Sequence, residues 1–201
     1  MILRASDLRE VVEKGGHPGP PADLRYKQAC VFLLICLSGD PVILAIQKAD
    51  TEGYPWRNQM AFPGGHVDAD DPTVEDAVFR ELEEELKLGR GDVEMVGSMG
   101  HFQTTNCRTI EAFVGLWSGG GTIVHDRQEI ARVFEIPLEE LVRVHYARCF
   151  GGWIPGVGQL VYPYQDVAIW GASARILHHL IELITERVAW DDPAQPPSVE
   201  N

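Results

Sequence analysis

The order of elements along this chain predicts an α/β fold, a layered sandwich with helices packed on a sheet. Three observations predict it. Residues 30–37 form a continuous apolar run, CVFLLICL, which reads as a strand buried on both faces and central in its sheet. Residues 72–88 set Val74, Val78, Phe79, Leu82 and Leu86 at helical spacing along one side. Residues 168–188 do the same with Ile169, Ala172, Ile176, Leu180, Leu183 and Ile184. Strand-like segments lie around both helices, so the helices pack on a sheet.

Taken in order, residues 6–14 carry Leu8, Val11 and Val12 at helical spacing and predict a short amphipathic helix. His17-Pro18-Gly19-Pro20-Pro21 breaks it, so residues 1–27 read as a helix and linker ahead of a core at 28–188. Ser38-Gly39-Asp40-Pro41 turns the central strand into a hairpin partner at 42–47. A polar loop at 50–58 holds Tyr54 and Trp56, and residues 60–62 then run into Pro63-Gly64-Gly65. For the helix at 72–88, Asp71 suits the N-cap, Pro72 the first helical position, and Gly89 with Gly91 the stop. Strands are expected at 93–102, 109–117 and 131–136, a glycine loop at 119–121, a short helix at 137–142 and a further hairpin at 151–164. Residues 189–201, with three prolines, are expected to fray. No internal repeat is present, and a single domain is expected.

Composition narrows the function. Apolar residues make up 45% and charged residues 23%, ordinary for a globular protein. The formal net charge is −13, which repels nucleic acid and anionic lipid and disfavours roles on either. An acidic protein that handles an anionic substrate needs local positive charge, and a bound divalent cation supplies it. Cys30, Cys36, Cys107 and Cys149 form no CxxC pair, so no zinc or redox motif emerges. Cys30 and Cys36 read as core filler. No charged-then-apolar leader opens the chain, and its longest apolar run is too short to span a bilayer. A reducing cytoplasm is the expected compartment.

The informative segment is GGHVDADDPTVEDAVFRELEEELKL, residues 64–88. At roughly 100° per residue, with Glu81 at zero, the apolar side chains span about 20° to 160°. Glu81 and Glu84 flank that arc, and Glu85 falls inside it, near 40°. A carboxylate on a buried face costs several kcal/mol unless something pairs with it, and Glu81 and Glu85 repel each other at i,i+4. A divalent cation removes both costs, and oxygen ligands on a rigid helix suit Mg²⁺. Glu81 also suits the role of general base toward an attacking water.

These residues closely resemble the Nudix box, the signature of the Nudix hydrolase family. That pattern is a glycine, five residues, a glutamate, seven residues, then Arg-Glu-apolar-x-Glu-Glu-x-Gly-apolar. Residues 80–88, RELEEELKL, match its second half except that Lys87 replaces the glycine. That glycine aids the turn after the helix, and Gly89 is positioned to serve instead. The first half is one residue longer than the strict spacing when counted from Gly65. With one insertion, Gly65 is the glycine and Asp71 the acid, although Asp71 suits a plain N-cap equally. Gln59-Met60-Ala61-Phe62-Pro63-Gly64-Gly65, and the Trp-Gly-Ala at 170–172 ahead of an apolar helix, are most similar to the coenzyme A pyrophosphatase branch. The resemblance covers residues 28–186. The chain departs from that branch upstream. Gln47-Lys48 stands near its Arg-Ser, and Trp56-Arg57-Asn58-Gln59 replaces its His-x-Gly-Gln. Glu111 also charges an otherwise apolar strand.

The resemblance implies an α/β/α sandwich around a mixed sheet. It also implies metal ligation by Glu81, Glu84, Glu85 and the carbonyl of Gly65, with Mg²⁺ as the ion and Mn²⁺ as an alternative. Arg80 would orient Glu81 from behind, and Glu129 would act as ligand or base. The implied reaction is attack by water on one phosphorus of a diphosphate in a small nucleotide-type substrate. Coenzyme A or its thioesters, or alternatively ADP-ribose or a nucleotide sugar, are the expected substrates. A catalytically inactive ligand sensor is the reading from another class, and it conflicts with the presence of Arg80, Glu81, Glu84 and Glu85. Homodimers are common in the family, but no residue here points to one. Among other residues, Trp56 and Tyr54 suit loop packing better than base stacking. Arg57 and Arg108 suit either phosphate or solvent. His178 and His179 point to different helix faces and read as surface and partial-core residues, and His101 lies in a strand.

Overall fold

A computed structural model describes residues 2–23, 25–53, 56–119, 123–156 and 158–188. The first elements are α1 (Ala5–Lys14), β1 (Lys27–Cys36), β2 (Val42–Lys48), β3 (Met60–Ala61) and β4 (Gly64–His66). Next come α2 (Val74–Leu86), β5 (Val93–Gln103), β6 (Arg108–Trp117) and β7 (Ile130–Pro137). The last are α3 (Leu138–Ala147), β8 (Val161–Tyr164), β9 (Val167–Trp170) and α4 (Gly171–Thr185). The expected tail at 189–201, Tyr54 and part of the glycine loop lie outside the described residues. None of the described helices is long and apolar enough to cross a membrane.

The apolar run at β1 is the middle of a mixed sheet ordered β3-β2-β1-β6-β5, with β4 on β1 and β7 on β2. β1 runs parallel to β6 along its whole length, from Lys27 beside Arg108 to Ile35 beside Leu116. Its other edge is divided. Ile35 and Cys36 pair with β2, whereas Ala29, Cys30 and Val31 pair with β4. That fork brings the Gly64-Gly65 backbone onto the central strand.

Alternation along β1 sorts its side chains between two cores. Phe32 and Leu34 pack with Val78, Phe79, Leu82 and Leu86 of α2. Leu33 and Ile35 pack with Leu8 and Val11 of α1 and with Ile176, Leu177 and Leu180 of α4. The fold is therefore an α/β/α sandwich around a mixed sheet, as expected.

Several boundaries differ from the sequence reading. α2 begins at Val74, and its N-cap is Thr73, whose Oγ1 accepts from the Asp76 N–H at 3.0 Å. Asp71 is not the cap because Arg80 holds its carboxylate. α2 ends on Lys87, which itself takes the left-handed conformation (φ 56°) and donates its N–H to Glu83 O, so neither Gly89 nor Gly91 makes the stop. Ala168 and Ile169 belong to β9. Gly171 (φ 66°), the first residue of α4, turns the chain out of that strand, so the long C-terminal periodicity merges two elements. The hairpin expected at 151–164 is instead β8 paired with β9. α3 runs on to Ala147, because buried His145 extends the stripe of Leu138, Leu141 and Val142.

Candidate active site

Two glycines set the backbone under α2. At Gly64 (φ 145°) an added Cβ would lie 2.2 Å from the Cys30 carbonyl oxygen, so only glycine permits the close pairing with β1. At Gly65 a Cβ would lie 2.4 Å from the Glu81 carboxylate. The absence of a side chain there seats the Gly65 backbone against Glu81. Beneath it, burial pushes the Cys30 thiol up to about 12, consistent with core filler.

Arg80 fastens the loop at residues 66–71 to the helix. Its guanidinium donates to Asp71 at 2.9 and 3.0 Å, to the His66 carbonyl at 3.0 Å, to Glu81 at 3.1 Å and to Glu84 at 3.2 Å. Arg80, one position before Glu81 and so off the apolar arc, thus folds back over the carboxylates. Its hydrogen bonds hold the Asp71 carboxyl below the usual range. The acid at 71 therefore serves the arginine.

The three glutamates meet different surroundings. The Glu85 side chain is 1% exposed, as its place inside the apolar arc foretold. One of its oxygens pairs with Lys48 Nζ, and the other accepts from the Gly64 N–H at 2.9 Å. The Glu81 side chain is 16% exposed and the Glu84 side chain 60% exposed. Burial raises the carboxyl pKa of both Glu81 and Glu85, opposed by Arg80 at the first and by Lys48 at the second. Glu129 arrives from a loop pinned to this cluster: Asp126 N–H donates to Glu85 O at 3.2 Å, and Ala49 N–H donates to Glu129 O at 2.8 Å.

Glu81, Gly65, Lys48 and Glu129 line one side of a cavity of about 640 Å³. That volume lies within the range of small-molecule and cofactor sites. Another wall is Trp56, His66 and Arg108. The Arg108 guanidinium stacks 4.9 Å from the Trp56 ring centre and hydrogen-bonds His66 Nε2. Arg108 is thus at the cavity and not simply in solvent, and Trp56 packs beneath it. The remaining wall joins the β5–β6 turn to the first turn of α4, whose N-cap Trp170 makes no side-chain cap. Arg175 ties the two together, donating to Gln103 O at 3.2 Å.

Other singled-out residues fall away from the cavity. Arg57 is exposed and pairs with Asp50 at 3.8 Å. Glu111 is half-buried, registered between Cys30 on β1 and His101 on β5. His178 is buried and His179 half-buried against His17, so neither is a surface residue. The sequence reading missed Lys48, Trp170, Arg175 and the buried His145. A lysine closing the apolar strand VILAIQK was the available signal for Lys48. The other three gain meaning only from tertiary contacts.

Comparisons with known proteins place the fold and the family. The profile of the NUDIX domain matches residues 26–150. An uncharacterized Nudix hydrolase, NudL of Yersinia pestis (strain Pestoides F), is 28% identical over 161 residues, covering 79% of this chain and 80% of that protein. The Nudix hydrolase RenU of M. smegmatis superposes with a TM-score of 0.54 at 14% identity, over 84% of this chain and 91% of that one. The NUDIX domain of Shewanella oneidensis NrtR, solved with ADP ribose, gives 0.53 at 14% identity, over 90% and 98%. The profile spans more than half of the chain, and the chain belongs to the NUDIX domain family.

Proposed function

We propose that this protein is a divalent-metal-dependent hydrolase that cleaves the pyrophosphate bond of a nucleoside diphosphate derivative, with coenzyme A or its thioesters as substrate. The observation that carries the reading is Glu81 set against the Gly65 backbone at one wall of the cavity, with Glu84 joined to it through Arg80 and Glu85 held behind it by Lys48 and the Gly64 N–H. The donors suit a hard cation: they are all oxygen, and Gly65 leaves open the space that a Cβ would take from Glu81. Glu81, Glu84, Glu85 and the Gly65 carbonyl would hold Mg²⁺ or Mn²⁺. When bound, the ion supplies Lewis acidity and neutralises charge developing on the phosphoryl oxygens.

The chain's own groups do the rest. Arg80 fixes the Glu81 carboxylate and the loop at 66–71 in one arrangement, so the ligands are set before substrate arrives. Glu129 reaches the cavity from its loop and takes the proton of the attacking water. Arg108 and the first turn of α4 place positive charge and N–H donors toward an anionic substrate. ADP-ribose is the second reading, favoured by the rebuilt Trp56–Arg108 wall and by the fold shared with a NUDIX domain that holds ADP ribose.

Product analysis by mass spectrometry tests both. The protein is incubated with Mg²⁺ and a panel of coenzyme A, ADP-ribose, NADH, UDP-glucose, diadenosine polyphosphates and oxidised dGTP. Preferred release of 4′-phosphopantetheine and 3′,5′-ADP from coenzyme A supports the first reading. Preferred cleavage of ADP-ribose replaces it with the second. Nucleotide-induced thermal stabilisation without turnover would leave only the ligand sensor.

A further inference from the structure

Lys48 is unusual for its position. The residues on the same face of β2, Leu44 and Ile46, are apolar and pack against α2. Between Gln47 and Lys48 the pairing with β7 slips by one residue, from Arg132 to Ile130. Such a bulge re-aims a side chain at the strand end. Lys48 is almost fully buried, pairs with Glu85, and still reaches the cavity wall shared with Glu81 and Glu129. A buried ion pair is poor value as a stabilising device, since well-packed apolar residues of similar volume do as well. This pair instead puts an ammonium among carboxylates expected to receive a metal. Arg80 answers Asp71, Glu81 and Glu84, while Lys48 answers Glu85.

Resting on the proposed metal-dependent function, we propose that Lys48 is a fixed cation of the active site that competes with divalent metal for Glu85. It weakens metal binding by occupying one Glu85 oxygen and repelling a second positive charge. In return it keeps Glu85 placed when the site is unloaded and presents an ammonium to the substrate diphosphate. A carboxylate cluster without Lys48 would bind metal more tightly and leave the diphosphate less well neutralised.

Titration of the full-length protein with Mn²⁺, following free Mn²⁺ by electron paramagnetic resonance, tests this without any substrate. Lys48→Met keeps most of the stem and removes the charge, and it is expected to bind Mn²⁺ about tenfold more tightly than wild type. Lys48→Gln keeps a hydrogen-bond donor for Glu85 and is expected to tighten binding in the same direction, which answers the question if Lys48→Met fails to fold. Adding Glu85→Gln to the Lys48 variant should reverse the gain. Unchanged or weaker Mn²⁺ affinity in both single variants overturns the proposal, as does a double variant that binds as tightly as the single. If wild type and variants alike bind no Mn²⁺, the metal-dependent reading itself falls, and the role of Lys48 with it.

Discussion

The two faces of the sheet each bury titratable side chains, but they treat them differently. Beneath α2, Glu81 and Glu85 stand with Glu84 and Glu129 against two basic groups, Arg80 and Lys48. On the opposite face, His145 of α3 hydrogen-bonds Glu182 of α4 at 2.6 Å through Nε2 and the Tyr162 hydroxyl at 2.9 Å through Nδ1. Gly152 N–H occupies the other Glu182 oxygen at 2.9 Å. His178 sits 3.5 Å from the same hydroxyl. The ligand atoms of His145, His178 and Glu182 lie within 4.8 Å of one another, close enough to suggest a metal site. Proton accounting favours a clamp. A neutral His145 donates to Glu182 and accepts from Tyr162, so both its nitrogens are already used. Burial of charge alone therefore does not mark chemistry. What separates the two clusters is access: Glu81, Glu129 and Lys48 line the cavity, whereas His145, His178 and Glu182 do not.

The largest effect expected from this contrast is at Glu81. Glu81→Gln should lower turnover of the preferred substrate by about 10²–10⁴-fold with little change in melting temperature, as read by initial rates and thermal denaturation. Wild-type turnover in that variant would remove Glu81 from the site. His145→Ala should show the reverse pattern. It opens a buried hole and strands Tyr162 and Glu182, costing about 2–4 kcal/mol in urea denaturation while Mn²⁺ affinity stays at the wild-type level. A change in Mn²⁺ affinity there would mean that the two faces communicate.

Acid sharpens the comparison further. Burial holds His145, His178 and His179 below the ordinary histidine pKa, His179 at about 4 with His17 beside it. An unfolded histidine takes up its proton near 6.5, whereas these resist protonation while folded. Their contribution is complete above about pH 6.5 and is lost as pH falls toward the folded values. His179→Asn should therefore give a shallower loss of urea midpoint than wild type between about pH 6.5 and 5. Parallel profiles would show that His179 titrates normally. The smallest effect is at the end of α2, where Lys87 holds a conformation that favours glycine. Lys87→Gly should stabilise the protein by about 1 kcal/mol without altering turnover, measured by denaturation and initial rates.

Much of the site was legible because α2 obeys one period. The wheel that grouped Val74, Val78 and Leu82 also placed Glu85 among them, and the structure buries it there. The start of α2 was not legible. Asp71 and Thr73 are both good caps two positions apart, and the choice between them is made by Arg80, a residue nine positions beyond Asp71 that occupies its carboxylate. The end was misplaced because Lys87, though exposed, itself takes the left-handed conformation that local preference assigns to Gly89, with its N–H closing on Glu83 O. The cavity walls were the least visible part. Trp56, Arg108 and Trp170 are far apart in sequence, and only the sheet brings them together. His145 and Glu182 likewise meet only because α3 packs beside α4.

The parallel pairing of β1 with β6 also governs when the site comes into being. Lys27 must find Arg108, so roughly eighty residues have to be looped out before the central register closes, a slow class of contact. The whole of α2, with its glutamates and Arg80, lies inside that loop. A helical turn forms far faster than such a closure. During folding the carboxylates can thus be helical and correctly spaced while β6 and Glu129 have not yet arrived. A complete site therefore requires the closure of two strands distant in sequence and not only the winding of the helix that bears the box.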